Sequence, residues 1–484
     1  MKGSSNRIKE SSKLYAIARA GAAISAALFI VLFTAGCRYT AAPADLLQKP
    51  SIAADKTKLV NAIDNTLSKY SKLTLPLRES KEEAIRLVDV DGDGIAEAIV
   101  SFYNEYSTPQ MLVFKEQNSV WKAWVLIEQP LAKQIEWLHT EDLNGDGYME
   151  LIVGWVGAFD SPNQLEVYSF QNKGVRNENG QVVLQPVETL LYSYADIGDI
   201  SGEGRKTLAV ITETGANMEL AEKEYLLGLY EWVNGSMRKT AEISLDEGVN
   251  GYVRLVLGRI SPRHYGIILE AQAGAHSMYT SMYKWENRRL QLVYPNRKYG
   301  EEGLTISSTR SEDVNGDGIL ELHHIIEPPG SEELPYSDTV YANQWLQWDG
   351  RETYTVIAEE YSDYVHGIRV SIPEQWFGKY ALHYADDVER GLVVFEYWSE
   401  SLRTAVPLAT LYAVSQPDWD KVEADWRERG ISYEVVLKEG GNIYAVSFQH
   451  EEPAGLSADE LAQYKEMLQA KEHFKDYVSS FEIL

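Results

Sequence analysis

Between about residues 73 and 361, apolar residues come in short runs. Some alternate with polar positions and some are continuous and β-branched, and the runs break at clusters of Gly, Asp and Asn. That is the pattern of strands joined by tight turns, not of helices. Within it one sixteen-residue phrase returns five times: LVDVDGDGIAEAIVSF (87–102), TEDLNGDGYMELIVGW (140–155), IGDISGEGRKTLAVIT (197–212), LGRISPRHYGIILEAQ (257–272) and SEDVNGDGILELHHII (311–326). Its first loop residues, Asp89, Asp142, Asp199, Arg259 and Asp313, stand 53, 57, 60 and 54 apart. A near-constant period of this size marks a repeat architecture. A second series follows the first: FKEQN (114–118), YSFQN (168–172), YEWVN (230–234), YKWEN (283–287) and LQWDG (346–350), each an aromatic strand entering a polar turn. Every unit therefore reads as strand, acidic loop, strand, strand, turn, strand. Isolated hairpins cannot bury a core, so the pattern predicts a mainly β chain, a β-propeller of about five four-stranded blades over 73–361.

The pattern changes after 361. Strands are predicted at 366–384, 391–399 and 442–449, a helix at 418–430, and a long amphipathic helix over 458–483 running into an extended piece. Strands and helices without strict alternation predict a smaller α+β domain over 362–484. Ahead of the repeats, Leu59, Ile63 and Leu67 fall at helical spacing within 54–72, predicting a helix laid against the propeller.

Residues 1–36 read as a leader, with five basic residues, the apolar stretch AGAAISAALFIVLF (20–33) and TAGC (34–37). The stretch is short for a membrane span. Small residues before a cysteine resemble a bacterial lipobox, which implies a lipoprotein signal peptide and a lipidated Cys37 followed by a tether within 37–72. Cys37 is the single cysteine of the chain, so no internal disulfide can form. The expectation is an exported protein anchored by Cys37 to the outer face of the cell membrane. The formal charge of −27 deepens to −31 without the leader, which carries five bases and Glu10. So acidic a surface repels nucleic acid and attracts divalent cations.

The loops carry the chemistry. Counting Asp89 as position 1, oxygen-bearing side chains stand at positions 1, 3, 5 and 9: Asp89, Asp91, Asp93 and Glu97; Asp142, Asn144, Asp146 and Glu150; Asp313, Asn315, Asp317 and Glu321. Backbone carbonyls of Ile95, Tyr148 and Ile319 fill position 7. Hard cations take six to eight oxygens, and a glycine-rich turn aims alternate groups inward. The third loop keeps Asp199, Ser201 and Glu203 but has Thr207 at position 9; the fourth has Arg259 and Arg263, which would repel a divalent ion. Position 12 holds Val100, Val153 and His324, which excludes an EF-hand. Acidic loops with a ninth-position acid and β flanks resemble the FG-GAP or VCBS-type repeat of integrin-like propellers. The resemblance covers the five repeats and departs from the family's familiar seven blades. The expected cofactor is calcium, about three ions in structural sites.

Catalytic motifs are absent: there is no HExxH, GxSxG, P-loop or GxGxxG after a strand. His323 and His324 lie on a strand, where one side chain should face the core and the other solvent. Among the 12 Trp and 30 Tyr, Trp232, Trp285 and Trp348 recur at one strand position and read as core. The segments 155–164, 214–225 and 273–283 read as candidate binding loops. The IPEQW segment (372–376) and final helix resemble an appended PsbP-like α/β domain of Gram-positive lipoproteins. Together these point to a surface-anchored, calcium-stabilised binding or adhesion lipoprotein with an extracellular protein or glycan ligand, and not to an enzyme. The alternatives are an envelope hydrolase or lyase using the propeller pore, or an accessory subunit of an envelope complex.

Overall fold

The computed structural model describes residues 54–78, 83–178, 180–214, 224–246, 248–296, 300–306, 310–331, 334–385 and 391–481. The leader, Cys37, the tether to residue 52 and most of the 214–225 segment lie outside the described residues. Of the described residues, the helix Ala54–Thr66 belongs to one compact unit and nearly all the rest to another. The helix is shorter than the 54–72 span, and Leu59 and Ile63, four apart, are its buried positions. No helix among the described residues is long and apolar enough to cross a membrane.

The second unit is mainly β. Each repeat builds its own sheet, antiparallel except where Val182–Val183 joins Val120–Glu128 of the first in parallel. The first centres on Ile85–Val88, Glu97–Tyr103, Pro109–Gln117 and Val120–Glu128. The second holds Ala132–Glu141, Glu150–Gly157, Gln164–Ser169 and Glu188–Leu191; the third, Tyr194–Gly198, Thr207–Thr214, Glu224–Val233 and Ser236–Ser244. The fourth is formed by Gly251–Arg259, Tyr265–Gln272, Ser277–Glu286 and Arg289–Tyr294, with Leu304–Ile306 paired to its third strand. In the fifth the strand ahead of the loop shrinks to a bridge between Glu312 and Glu321. Its strands are Leu322–Ile326, Ala342–Trp348, Tyr354–Asp363 and Ile368–Ser371, and Val478–Ser480 pairs with the last.

Burial explains the sequence pattern strand by strand. The strand after each acidic loop is covered on both faces, as in Glu97–Tyr103 and Glu150–Gly157. Those are the continuous apolar runs. The third sheet's Ser236–Ser244 keeps one side in solvent and alternates. Apolar clusters join consecutive sheets. Ile99 and Val113 of the first meet Leu151 and Trp155 of the second. Ile152 and Val167 meet Leu208 and Val210 of the third, Leu227 meets Leu269 of the fourth, and Ile268 and Met282 meet Leu322 and Trp348 of the fifth. Trp348 is core as expected. No closed barrel or ring of sheets is found among the described residues.

The segment after the repeats forms a sixth sheet, in the order Tyr380–Tyr384, Gly391–Ser399, Thr404–Ser415, Asn442–Phe448, Glu434–Glu439, with the helix Trp419–Glu428 beside it. Its core also takes in Val340, Ala342 and Tyr361 from the fifth repeat. The long terminal helix is corrected. Ser457 and Glu460 form a capping box that starts a helix at Ala458, but the helix ends at Leu468. Two 3-10 turns follow, split at His473 (φ −134°), before Val478–Ser480. The break seats Phe474 in the core against Trp376 and Phe395, with ring centroids 6.0 and 5.9 Å away.

Candidate functional site

The acidic loops share one backbone template. In the fifth, both Asp313 oxygens accept amide hydrogens, from Gly316 at 2.8 Å, Asp317 at 3.1 Å and Gly318 at 2.8 Å. Asn315 accepts from Asp317 N–H at 2.9 Å, and Asp317 accepts from Ile319 N–H at 2.8 Å. The second loop repeats these contacts through Asp142, Asn144 and Asp146. Two glycines at positive φ turn each loop, Gly145 and Gly147 at 75° and 87°. The ninth-position acid lies below, fully buried: Glu97, Glu150 and Glu321 are each 0% exposed. Each spends one oxygen on the amide of the second loop residue, Val90 at 3.0 Å, Leu143 at 3.2 Å and Val314 at 2.9 Å. Burial raises all three carboxyls against those hydrogen bonds, Glu150 to about 7.

Among the described residues, two acidic groups are gathered tightly enough to hold a metal ion, with ligand atoms within 4.8 Å of one another: Asp89, Asp91 and Glu97, and Asp313, Asp317 and Glu321. The orphaned oxygens fit a cation. Asp89 Oδ1, Asp91 Oδ1, Glu97 Oε1 and Glu150 Oε1 are buried without a hydrogen-bond partner, a costly state for an acceptor. The third loop keeps the turn, since Asp199 accepts from Gly202 and Gly204 at 2.8 and 2.6 Å, but Glu203 pairs with Arg205. In the fourth, Ser261 and His264 close the turn: Ile260 N–H donates to His264 O at 2.9 Å, and Ser261 Oγ accepts from His264 N–H at 2.9 Å. Arg259 donates to Pro262 O at 2.7 Å.

Sequence reasoning missed the residue facing each ninth position across the sheet. It is the second letter of each aromatic phrase. Ser169 pairs in register with Glu150, and Lys115 and Gln347 follow partners of Ala98 and Leu322. Gln347 Nε2 donates to Asp317 and Glu321, both at 2.8 Å. Lys115 bonds Asp91 and, at 2.9 Å, Asp93. The available signal was the position itself, which recurs in all five phrases and holds Lys115, Ser169, Glu231, Lys284 and Gln347.

A second feature lies beside the fifth sheet. A pocket of about 460 Å³ is lined by Tyr336, Tyr341, Tyr361, Tyr364 and Tyr384 together with Asn343, Asp363 and His366. Tyr336, Tyr364 and Tyr384 are 59%, 67% and 53% exposed. Asp363 fixes the turn below by accepting from Val365 N–H at 2.8 Å, and its other oxygen lies 2.9 Å from His366 Nδ1. Of the three expected binding loops, 155–164 reduces to a short connection, 158–163, between two strands, and 273–283 is mostly the strand Ser277–Glu286. The two histidines do not split between core and solvent. His323 is buried, accepting Arg310 N–H at Nδ1 (2.7 Å) and facing Asn343 Oδ1 at 3.0 Å through Nε2. His324 Nε2 is enclosed without a hydrogen-bond partner.

No family model and no curated protein matches the chain. Solved structures similar to it include the rhamnogalacturonan lyase YesW, at 12% identity and TM-score 0.29, covering 59% of this chain and 68% of that one. A Bacillus licheniformis rhamnogalacturonan lyase aligns at 13% identity and TM-score 0.33, covering 68% and 65%. An Aleuria aurantia lectin, solved with Fucα1-6GlcNAc, aligns at 12% and TM-score 0.25, covering 75% and 94%. The non-enzyme reading of the sequence is corrected: missing motifs are no ground for excluding catalysis, and the solved structures similar to the chain include enzymes. Likeness at these TM-scores assigns no activity or ligand to the chain.

Proposed function

We propose that this chain is an exported, membrane-anchored glycan-binding protein. The tyrosine-lined pocket beside the fifth sheet takes the sugar, and calcium held by acidic loops braces the sheets. The five sheets are read as blades of a propeller-type array, and Cys37 as the lipidated anchor. The pocket carries the reading. Pyranose rings present an apolar C–H face and a rim of hydroxyls. Exposed tyrosines supply flat apolar area and a polar tip at little entropic cost. Neighbouring polar groups then fix orientation.

The test is calorimetry of the full chain against glycan fragments preselected on an array. Tyr364→Ala and Tyr384→Ala should each weaken binding by about tenfold. Glycan binding unchanged in both variants, or none by the native chain, sinks the reading. A lyase or hydrolase reading rests on a separate observation, the Asp363–His366 pair in the same pocket. It requires product release from a bound glycan, abolished by His366→Gln with binding retained.

A further inference from the structure

The first acidic loop differs from the second and fifth by two residues that change together. Position 3 is Asp91, where the others have Asn144 and Asn315. The position opposite the ninth acid is Lys115, where the others have the neutral Ser169 and Gln347. One extra negative charge is matched by one positive charge. Lys115 Nζ hydrogen-bonds Asp91, lies 2.9 Å from Asp93 and 3.4 Å from Glu97, and rests 5.5 Å from the centroid of Trp124. Its side chain is only 17% exposed. The ammonium thus shares Asp91 and Glu97 with the acidic group Asp89, Asp91 and Glu97 that is gathered tightly enough for a metal. The fourth sheet supplies a contrast. Lys284 occupies the equivalent letter of its phrase beside a loop that has lost its acids, and it pairs with Glu286 at 3.0 Å.

We propose that Lys115 is the resident cation of the first loop and keeps a divalent ion out of it. Calcium drawn to Asp91 and Glu97 would have to share those carboxylates with a half-buried ammonium already paired to them, and the two charges repel. Among the three loops with oxygen-bearing side chains at positions 1, 3, 5 and 9, metal binding then falls to the second and fifth. The inference rests on the calcium reading only for its control arm.

The experiment is calcium stoichiometry by calorimetry on the full chain and three variants. Asp317→Asn, the control, should remove one ion. Asp91→Asn should leave the count unchanged, and Lys115→Met should add one ion and make the melting temperature newly sensitive to chelator. Loss of an ion in Asp91→Asn overturns the proposal, as does a folded Lys115→Met chain that gains none. Should Lys115→Met not fold, the Asp91→Asn count decides alone. If Asp317→Asn changes nothing, the calcium reading of the fifth loop fails, while a gain in Lys115→Met still supports the role of Lys115.

Discussion

At the scale of single residues, His323 shows how burial becomes a pH dependence. Desolvation lowers its imidazole to about 4, against the opposing contact with Asn343. The amide of Arg310 donates to Nδ1, so the proton sits on Nε2 and a second proton has no acceptor. Between pH 4 and the ordinary histidine value near 6.5, the unfolded chain binds more protons than the folded one. Stability linked to His323 is therefore complete above about 6.5 and is lost as pH falls toward 4. The loss is of order 3 kcal/mol at the acid end. Urea unfolding at pH 7 and pH 4.5 should show it, and His323→Gln should remove part of the difference. An unchanged pH difference in that variant rules the account out. None of this was legible in the sequence. A strand places two adjacent histidines on opposite faces, and only the packing of sheet on sheet reveals that both faces are covered.

At the scale of elements, neighbouring loops touch. Met149 N–H donates to Val90 O at 3.1 Å, and Leu320 N–H donates to Arg259 O at 2.8 Å. Gly92 and Gly94 separate two costs. Both have positive φ, 67° and 83°, but a Cβ on Gly92 would lie 2.8 Å from Gly147 O, while one on Gly94 meets nothing within 4 Å. Gly94→Ala should cost about 1 kcal/mol for conformation alone. Gly92→Ala should cost about 1–2 kcal/mol more, because a backbone oxygen of the next loop must move. Thermal unfolding of the two variants measures the difference, and equal losses would mean the loops do not brace each other. The loops and most strands were legible because Asp, Asn and Gly at fixed offsets demand one turn and continuous β-branched runs demand burial. Lys115, Gln347 and the tyrosine pocket were not. Their roles depend on which strand lies opposite, and the sequence states that only through register. The terminal helix misled for a related reason: helical periodicity persists beyond Leu468, but the core's demand for Phe474 breaks the helix.

At the scale of the whole molecule, two expectations concern the chain as a unit. The first is attachment. Cys37→Ala should abolish fatty-acid labelling and leave the leader uncleaved, and a native chain that takes no label refutes the anchor. The second follows from the sheet pairings. In the third and fourth sheets every strand pairs with one close by in sequence. The fifth is different, because Ile368–Ser371 waits for Val478–Ser480, more than a hundred positions downstream. Local pairings close quickly and distant ones slowly. A nascent chain can thus finish those sheets as each repeat leaves the ribosome, yet it carries Ile368–Ser371 as an open edge until the last strand arrives. An edge left waiting is a template for the wrong partner. The fifth sheet is where a chaperone would be needed, and chains stopped short of residue 478 should be caught there, clumped through that one open edge.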